Sequence, residues 1–284
     1  MKYAVDHYAL RWKDAGHWVI YHIGPDDIPE ADVLVLSIDL TIVPQVYVDL
    51  IKQYPLVING KILDISRRRF SKLIVSRNSS YSGPVIIKTD TNYGGLSEHQ
   101  SLNHKDLSGY HSSNPLIFVI KAFRIAQAIG WKWKRDVFRR WVKVESMNPL
   151  KYPIFEDISS VPDGVWENNN LIVERFIDNS EGDLFYTNYC IYFGDKEIAG
   201  LLVSTSPIVK FENAVSDVET PIPDQMRDSR EKLNIDYGRF DYVEAGGKYY
   251  LIDVKKTDGG SHTNYQYPTE MDFIASGLDY YLEC

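Results

Sequence analysis

The chain has 284 residues, 44% of them hydrophobic and 25% charged, with a net charge of −8. That is enough chain for two or three compact units with real cores, and the acidic balance excludes general nucleic-acid binding, which needs a basic field. The only cysteines, Cys190 and Cys284, build neither a disulfide framework nor a zinc site, which fits a reducing, cytoplasmic setting.

The opening stretch, MKYAVDHYALRWKDAG, is charged throughout and does not read as a signal peptide. Asp32–Ser37 is a near-continuous apolar run, the pattern of a buried parallel strand. Pro44 opens a helical pattern with Val46, Leu50 and Ile51 on one face, and Leu56–Ile58 is a second short strand. Asp64 is placed to cap a helix running through Arg67, Arg68 and Arg69 to Leu73. This small α/β unit ends near Ser80, in a polar stretch that begins at Arg77.

A strand over Pro84–Lys88 then enters a polar, glycine-bearing loop, Thr89–Ser97, and irregular sequence continues to Asn114. Helical pattern follows from Leu116 to about Val144, with a break at Gly130. Its most apolar part, Pro115–Ile129, is interrupted by Lys121 and Arg124 and is too short to span a bilayer. Leu171–Ile177 reads as a strand. Tyr186–Phe193 and Glu197–Ser204 read as an antiparallel pair turning at Gly194-Asp195, and Pro223–Leu233 as a helix. Two last strands, Arg239–Glu244 and Tyr249–Val254, meet at a Gly-Gly turn signal. The expected class is α/β (α+β).

The closing hairpin carries the most chemistry. Strand alternation puts Arg239, Asp241 and Val243 on one face, and Leu251, Asp253 and Lys255 on one face of the partner. A three-residue loop, Gly246-Gly247-Lys248, sets Asp241 directly opposite Asp253, whereas a two-residue loop shifts the register by one. Opposed like charges are unfavourable, and a hard divalent cation bridging them is one compensation. Neutralisation by Arg239 and Lys255 on a plain surface is the other. Lys88, ahead of Gly94-Gly95, suits phosphate binding, since glycines let backbone N–H groups approach and lysine adds a point charge. The chain contains no G-x-x-x-x-G-K-[ST] and no G-x-G-x-x-G.

In order, the sequence presents a small α/β unit, VIIKTDTNYGG, VERFI and DYGRFDYVEAGGKYYLIDVKKT. Over residues 57–260 this ordered set resembles the ATP-grasp superfamily, which includes D-alanine–D-alanine ligase, glutathione synthetase and the ribosomal-protein glutamate ligases. Within it the stretches look most like uncharacterised bacterial members. The resemblance implies an ATP-grasp fold, with a small N-terminal α/β domain over 1–80 and the ATP-grasp domain over 81–284. It places Lys88 on the ATP phosphates, with Gly94 and Gly95 in the loop that closes over them. Glu174, Phe176 and Ile177 fall at the adenine, Glu181 or Asp183 at the ribose, and Asp241 and Asp253 at magnesium (or manganese). Arg239 and Lys255 are the candidate catalytic cations, Arg239 to hold the phosphoryl group or a substrate carboxylate. The implied reaction activates a carboxylate of a small molecule or peptide as an acyl phosphate, which an amine attacks.

The chain departs from the family pattern at two points. Lys255 stands where an asparagine usually follows the second acidic ligand, and Arg67-Arg68-Arg69 stands where a further lysine is common. A phosphotransferase on the same ATP site, or nucleotide binding without turnover, are the rival readings. Residues 121–143 carry Lys121, Arg124, Lys132, Lys134, Arg135, Arg139, Arg140 and Lys143 against Asp136, interleaved with Trp131, Trp133 and Trp141. Such a segment suits an anionic partner, or a solvated helix face with its tryptophans packed inward.

Overall fold

The computed structural model describes residues 3–102, 139–258 and 268–283. In chain order its elements are α1 (Ala4–Asp14), β1 (Val33–Val35), α2 (Gln45–Ile51), β2 (Leu56–Ile58), α3 (Arg67–Phe70), β3 (Val85–Thr89), α4 (Leu96–Leu102), β4 (Ile154–Phe155), α5 (Asp163–Trp166), β5 (Leu171–Arg175), β6 (Ser180–Glu181), β7 (Leu184–Phe193), β8 (Lys196–Ser204), β9 (Ser216–Glu219), α6 (Asp224–Leu233), β10 (Tyr237–Ala245), β11 (Lys248–Lys255), α7 (Pro268–Ala275) and α8 (Asp279–Leu282). They divide between two compact units, Met1–Ile65 with Asn179–Cys284, and Ser66–Asp178.

The first unit is built on a six-stranded antiparallel sheet in the order β11-β10-β7-β8-β9, with β6 beside the start of β7. The hairpin expected at Gly194-Asp195 is present: Phe193 pairs with Lys196, and Gly194 has a φ of 56°. Tyr8 and Trp12 of α1 meet the Phe193 ring at 5.8 and 5.5 Å, and the Trp12 indole N–H donates to the Ala275 carbonyl at 2.8 Å. Ile274 and Leu278 complete this core from the other end of the sequence.

Strands β1 and β2 form a separate parallel pair, Val35 opposite Ile58, with α2 between them in sequence. The buried strand expected over Asp32–Ser37 is shorter than its apolar run, and Val33–Val35 are only half-buried. Asp64 does not cap a helix. It lies in a β-bridge with Ile42, and Ser66 precedes the one-turn α3.

Asn59 fastens the N-terminal stretch to the main sheet. It is fully buried, with a left-handed φ of 62°, a region asparagine tolerates better than most residues. Its side-chain amide donates to the carbonyls of Tyr237 (2.9 Å) and Lys256 (3.1 Å), and its Oδ1 accepts from the backbone N–H of Asp236 (2.9 Å) and Tyr237 (3.2 Å). Its own N–H donates to Asp236 Oδ2 at 2.6 Å.

The second unit holds a three-stranded antiparallel sheet, β4-β3-β5, in which every residue of β3 is buried. Arg68 ties its ends: the guanidinium bonds Asp90 Oδ2 (2.8 Å) and the carbonyls of Asn169 and Leu171 (both 2.9 Å). Trp141 is buried while Arg139, Arg140 and Lys143 are exposed. At its described end the basic segment therefore packs its tryptophan inward and solvates its charges. Residues 121–138, including Trp131 and Trp133, lie outside the described residues, as does most of the helical pattern expected from Leu116. No helix among the described residues is long and apolar enough to cross a membrane.

Truncating Asn59 to alanine removes four side-chain hydrogen bonds and leaves buried backbone groups without partners. Asn59→Ala is expected to cost about 3 kcal/mol of stability, read by urea denaturation. A loss below about 0.5 kcal/mol, the range of ordinary surface substitutions, would show that the clasp holds nothing.

Candidate functional site

The site residues expected from sequence fall into two groups, one in each unit. Lys88, Gly94, Gly95, Glu174, Phe176 and Ile177 lie in the second unit. Glu181, Asp183, Arg239, Asp241, Asp253 and Lys255 lie in the first.

The hairpin of β10 and β11 reaches the expected pairing by a different route. Ala245 pairs with Lys248, so the turn has two residues, Gly246 and Gly247, both at positive φ (58° and 70°). Such a turn needs φ > 0 at both positions, which is why glycines stand there. Alone it would set Asp241 opposite Ile252. A β-bulge between Asp241 and Tyr242 absorbs one residue of β11, so that Asp241 pairs with Asp253 and Arg239 with Lys255. The bulge also breaks the alternation. Leu251 pairs with Tyr242 rather than sharing the face of Asp253, which corrects the strict alternation expected over Leu251, Asp253 and Lys255.

Asp241 and Asp253 are 1% and 2% exposed, so their charges must be met inside the protein. Arg239 binds Asp241 Oδ1 through Nε and Nη2, each at 2.6 Å. Lys210 spans both carboxylates, its Nζ 3.3 Å from Asp241 Oδ2 and 2.9 Å from Asp253 Oδ2. Lys255 Nζ lies 3.7 Å from Asp241 Oδ2. Burial pushes the Asp241 carboxyl up, as does Asp253, but Arg239, Lys255 and Lys210 outweigh both and hold it well below the usual carboxylate range.

Arg239, expected to reach a phosphoryl group or substrate, is instead 1% exposed. Its guanidinium lies 4.1 Å from the centre of the Phe211 ring and 4.9 Å from that of Tyr189. The Tyr189 hydroxyl contacts both oxygens of Asp217, at 3.1 and 3.0 Å. Burial raises the Asp217 carboxyl above its ordinary value against the pull of Tyr189 and Arg239. Lys210, Tyr189 and Phe211 were not singled out in the sequence. Lys210 sits in the connection between β8 and β9, just before a short 3-10 turn at Phe211–Asn213, where no motif marks it.

Among the described residues no group of three or more His, Cys, Asp or Glu is arranged to hold a metal. Asp241 and Asp253 nonetheless offer two hard oxygen donors close enough for one ammonium to touch both. A divalent ion that completes its shell with water and substrate phosphates needs no more protein ligands than that. Glu181 and Asp183 are exposed on either side of Gly182 at the turn from β6 to β7. Cys190 on β7 is buried, and burial pushes its thiol up to about 12, so it is no nucleophile at neutral pH. A cavity of about 570 Å³ elsewhere in this unit, lined by Glu197, Glu219, Arg227 and Phe273 among others, includes none of the expected residues.

In the second unit Lys88 is the fourth residue of β3, not a solvated strand end, and is 7% exposed. It pairs across the sheet with Ile172, while Glu174 pairs with Ile86, so the two charges meet diagonally. Lys88 Nζ lies 2.8 Å from Oε2 of the fully buried Glu174. The contact is ionic; its angles are not those of a hydrogen bond. Phe176 and Ile177 are half-buried just beyond β5, and the Phe176 N–H donates to the Pro84 carbonyl at 2.8 Å.

The glycine pair forms a tight turn. Tyr93, Gly94 and Gly95 have φ of 45°, 71° and 73°. A Cβ on Gly94 would stand 1.9 Å from the Met147 carbonyl oxygen, and one on Gly95 2.8 Å from Thr91 Oγ1. Packing alone thus demands both glycines. Of the arginines at 67–69, Arg67 is buried, and Arg68 is engaged by Asp90 and two carbonyls.

Removing Lys88 strands the buried Glu174 charge. Lys88→Met is expected to cost about 3–5 kcal/mol, read by urea denaturation, and adding Glu174→Gln should recover much of that loss. Equal stability of Lys88→Met and wild type would mean the ion pair carries no structural load.

No family model and no curated protein sequence matches the chain. Among solved structures, it is similar to a RimK domain protein ATP-grasp from Sphaerobacter thermophilus, with 10% identity, 99% of this chain and 96% of that one covered, and a TM-score of 0.49. It is also similar to D-alanine–D-alanine ligase from Bacillus anthracis, with 12% identity, 99% and 93% coverage, and a TM-score of 0.46. A third is an ATP-grasp ligase associated with RiPPs from Chryseobacterium gregarium, in complex with ADP and a leader and core peptide. There the identity is 9%, the coverage 69% and 48%, and the TM-score 0.37.

Proposed function

We propose that the chain is an ATP-grasp ligase that uses ATP with Mg²⁺ to join a carboxylate to an amine, its acceptor a small molecule or peptide. The modular division into 1–80 and 81–284 belongs to the same proposal. The observation that carries it is the buried pairing of Asp241 with Asp253 on neighbouring strands, met by Lys210, Arg239 and Lys255. Bound at the two carboxylates, Mg²⁺ or Mn²⁺ would supply charge neutralisation for a transferring phosphoryl group. Arg239 serves as a positioning residue, since its guanidinium fixes the Asp241 carboxylate between two aromatic rings. Lys88 is assigned to the phosphates, with Glu174 setting its position through their ion pair. Phe176 and Ile177 are assigned to the adenine, where the resemblance also puts Glu174, and Glu181 or Asp183 to the ribose.

The γ-phosphoryl group passes to the substrate carboxylate and ADP leaves. The amine then attacks the acyl carbon, and phosphate departs with the C–O bond electrons. Nothing in this sequence needs a thiol or hydroxyl nucleophile from the protein.

A second reading, nucleotide binding without turnover, is favoured by Lys255, whose ammonium lies 3.7 Å from Asp241 where the family pattern has a neutral ligand. The products separate the readings. A ligase releases ADP and free phosphate only when both substrates are present, a kinase releases no free phosphate, and a binding protein releases neither product.

Thermal-shift titration is expected to show stabilisation by ATP with Mg²⁺ and none by NAD⁺. Asp241→Asn and Asp253→Asn should each weaken the Mg²⁺-dependent response at least about tenfold, the lower end of what even outer-shell partners of a metal cost. Saturable NAD⁺ binding with no response to ATP would sink the assignment.

A further inference from the structure

We propose that Lys210 is a resident counter-cation that a divalent ion must displace, so that the free protein holds metal only weakly. The inference rests on the reading of Asp241 and Asp253 as metal ligands. The Lys210 ammonium touches Oδ2 of both carboxylates, at 3.3 and 2.9 Å, and so occupies the place from which one small cation would bridge them. Lys210, Arg239 and Lys255 already meet the charges of Asp241 and Asp253, with Asp258 and Asp217 also acting on Arg239. Adding a divalent ion without moving an ammonium would bring two more positive charges beside Lys210 in a buried place, where screening by water is weak.

The three cations are not equally able to leave. Arg239 is held by two contacts to Asp241 and by the rings of Tyr189 and Phe211. Lys255 lies on β11, paired in register with Arg239, and is the more distant from Asp241. Lys210 and Lys255 have the same flexible stem and the same 12% side-chain exposure, but Lys210 springs from the connection between β8 and β9 whereas Lys255 is set in a strand. Lys210 can swing away without breaking a strand. An incoming polyphosphate supplies the negative charge that would receive it, which makes metal and phosphate binding cooperative.

The test is Mn²⁺ binding to the full chain without nucleotide, by calorimetry and by the Mn²⁺-dependent rise in Tm. Lys210→Gln keeps an N–H donor for the carboxylates but loses the charge, Lys210→Met loses both, and Lys210→Arg keeps the charge. Wild type and Lys210→Arg are expected to bind Mn²⁺ weakly. Lys210→Gln and Lys210→Met should bind it about tenfold or more tightly, as removal of one buried like charge implies, and should gain stability on adding it. Adding Asp253→Asn to Lys210→Gln should abolish the gain and place it at this site. Should Lys210→Met fail to fold, Lys210→Gln decides alone. Tight Mn²⁺ binding by wild type, unchanged in Lys210→Gln, would overturn the proposal while leaving the metal reading intact. No Mn²⁺ binding by any variant, and none by wild type with ATP, would overturn both.

Discussion

Two carboxylates held opposite one another in a nearly dry place set the terms for the main sheet. Asp241 and Asp253 cannot lose their charges to water, so the protein supplies cations from three different segments: one from β10 itself, one from β11, and one from the β8–β9 connection. Each then imposes a requirement of its own. Arg239 needs aromatic walls because it too is buried, and Tyr189 and Phe211 provide them. Tyr189 in turn directs its hydroxyl to Asp217 on β9. One like-charge pairing thus organises contacts across β11, β10, β7 and β9. Arrangements this demanding are kept where chemistry needs them more often than where stability does.

The opposition of the two aspartates was legible, although by the wrong turn. Gly246-Gly247 is a strong signal for a hairpin, but nothing local in Tyr250-Leu251-Ile252 announces a bulge. A two-residue turn with a bulge and a three-residue turn without one bring the same residues together at Asp253, and differ only nearer the turn, where Leu251 changes face. Strands β7 and β8 were read almost to the residue because the turn at Gly194-Asp195 fixes their shared end, although β7 is buried on both faces over Tyr189–Phe193. Lys210 was not legible. It is 31 residues from Asp241 and 43 from Asp253 in sequence, in a connection without periodicity, and only the folded sheet brings it near.

In the second unit the residues singled out in the sequence carry structural duties that the sequence did not reveal. Lys88 and the Gly-Gly pair stood out as phosphate-binding features. Each also has a structural duty that would select it without any ligand: Lys88 neutralises Glu174, and the glycines admit the Met147 backbone. Pairwise burial of this kind is invisible in a single sequence, because the partner of Lys88 lies on β5, far along the chain. The expected cap at Asp64 failed for a related reason. A β-bridge to Ile42 claims that segment before any helix begins.

The clasp at Asn59 has a consequence for the order in which the protein is made. Its partners, Asp236, Tyr237 and Lys256, leave the ribosome long after it does, as do Phe193, Ile274 and Leu278, against which Tyr8 and Trp12 pack. The first unit is discontinuous and cannot close until β10 and β11 exist. Ser66–Asp178 is one continuous stretch, with no partner segment of its own unit still to come. During synthesis the inserted unit therefore need not wait for later segments, while the apolar face of α1 waits, uncovered, for Phe193, Ile274 and Leu278. Until those residues arrive, that face is open to misassociation.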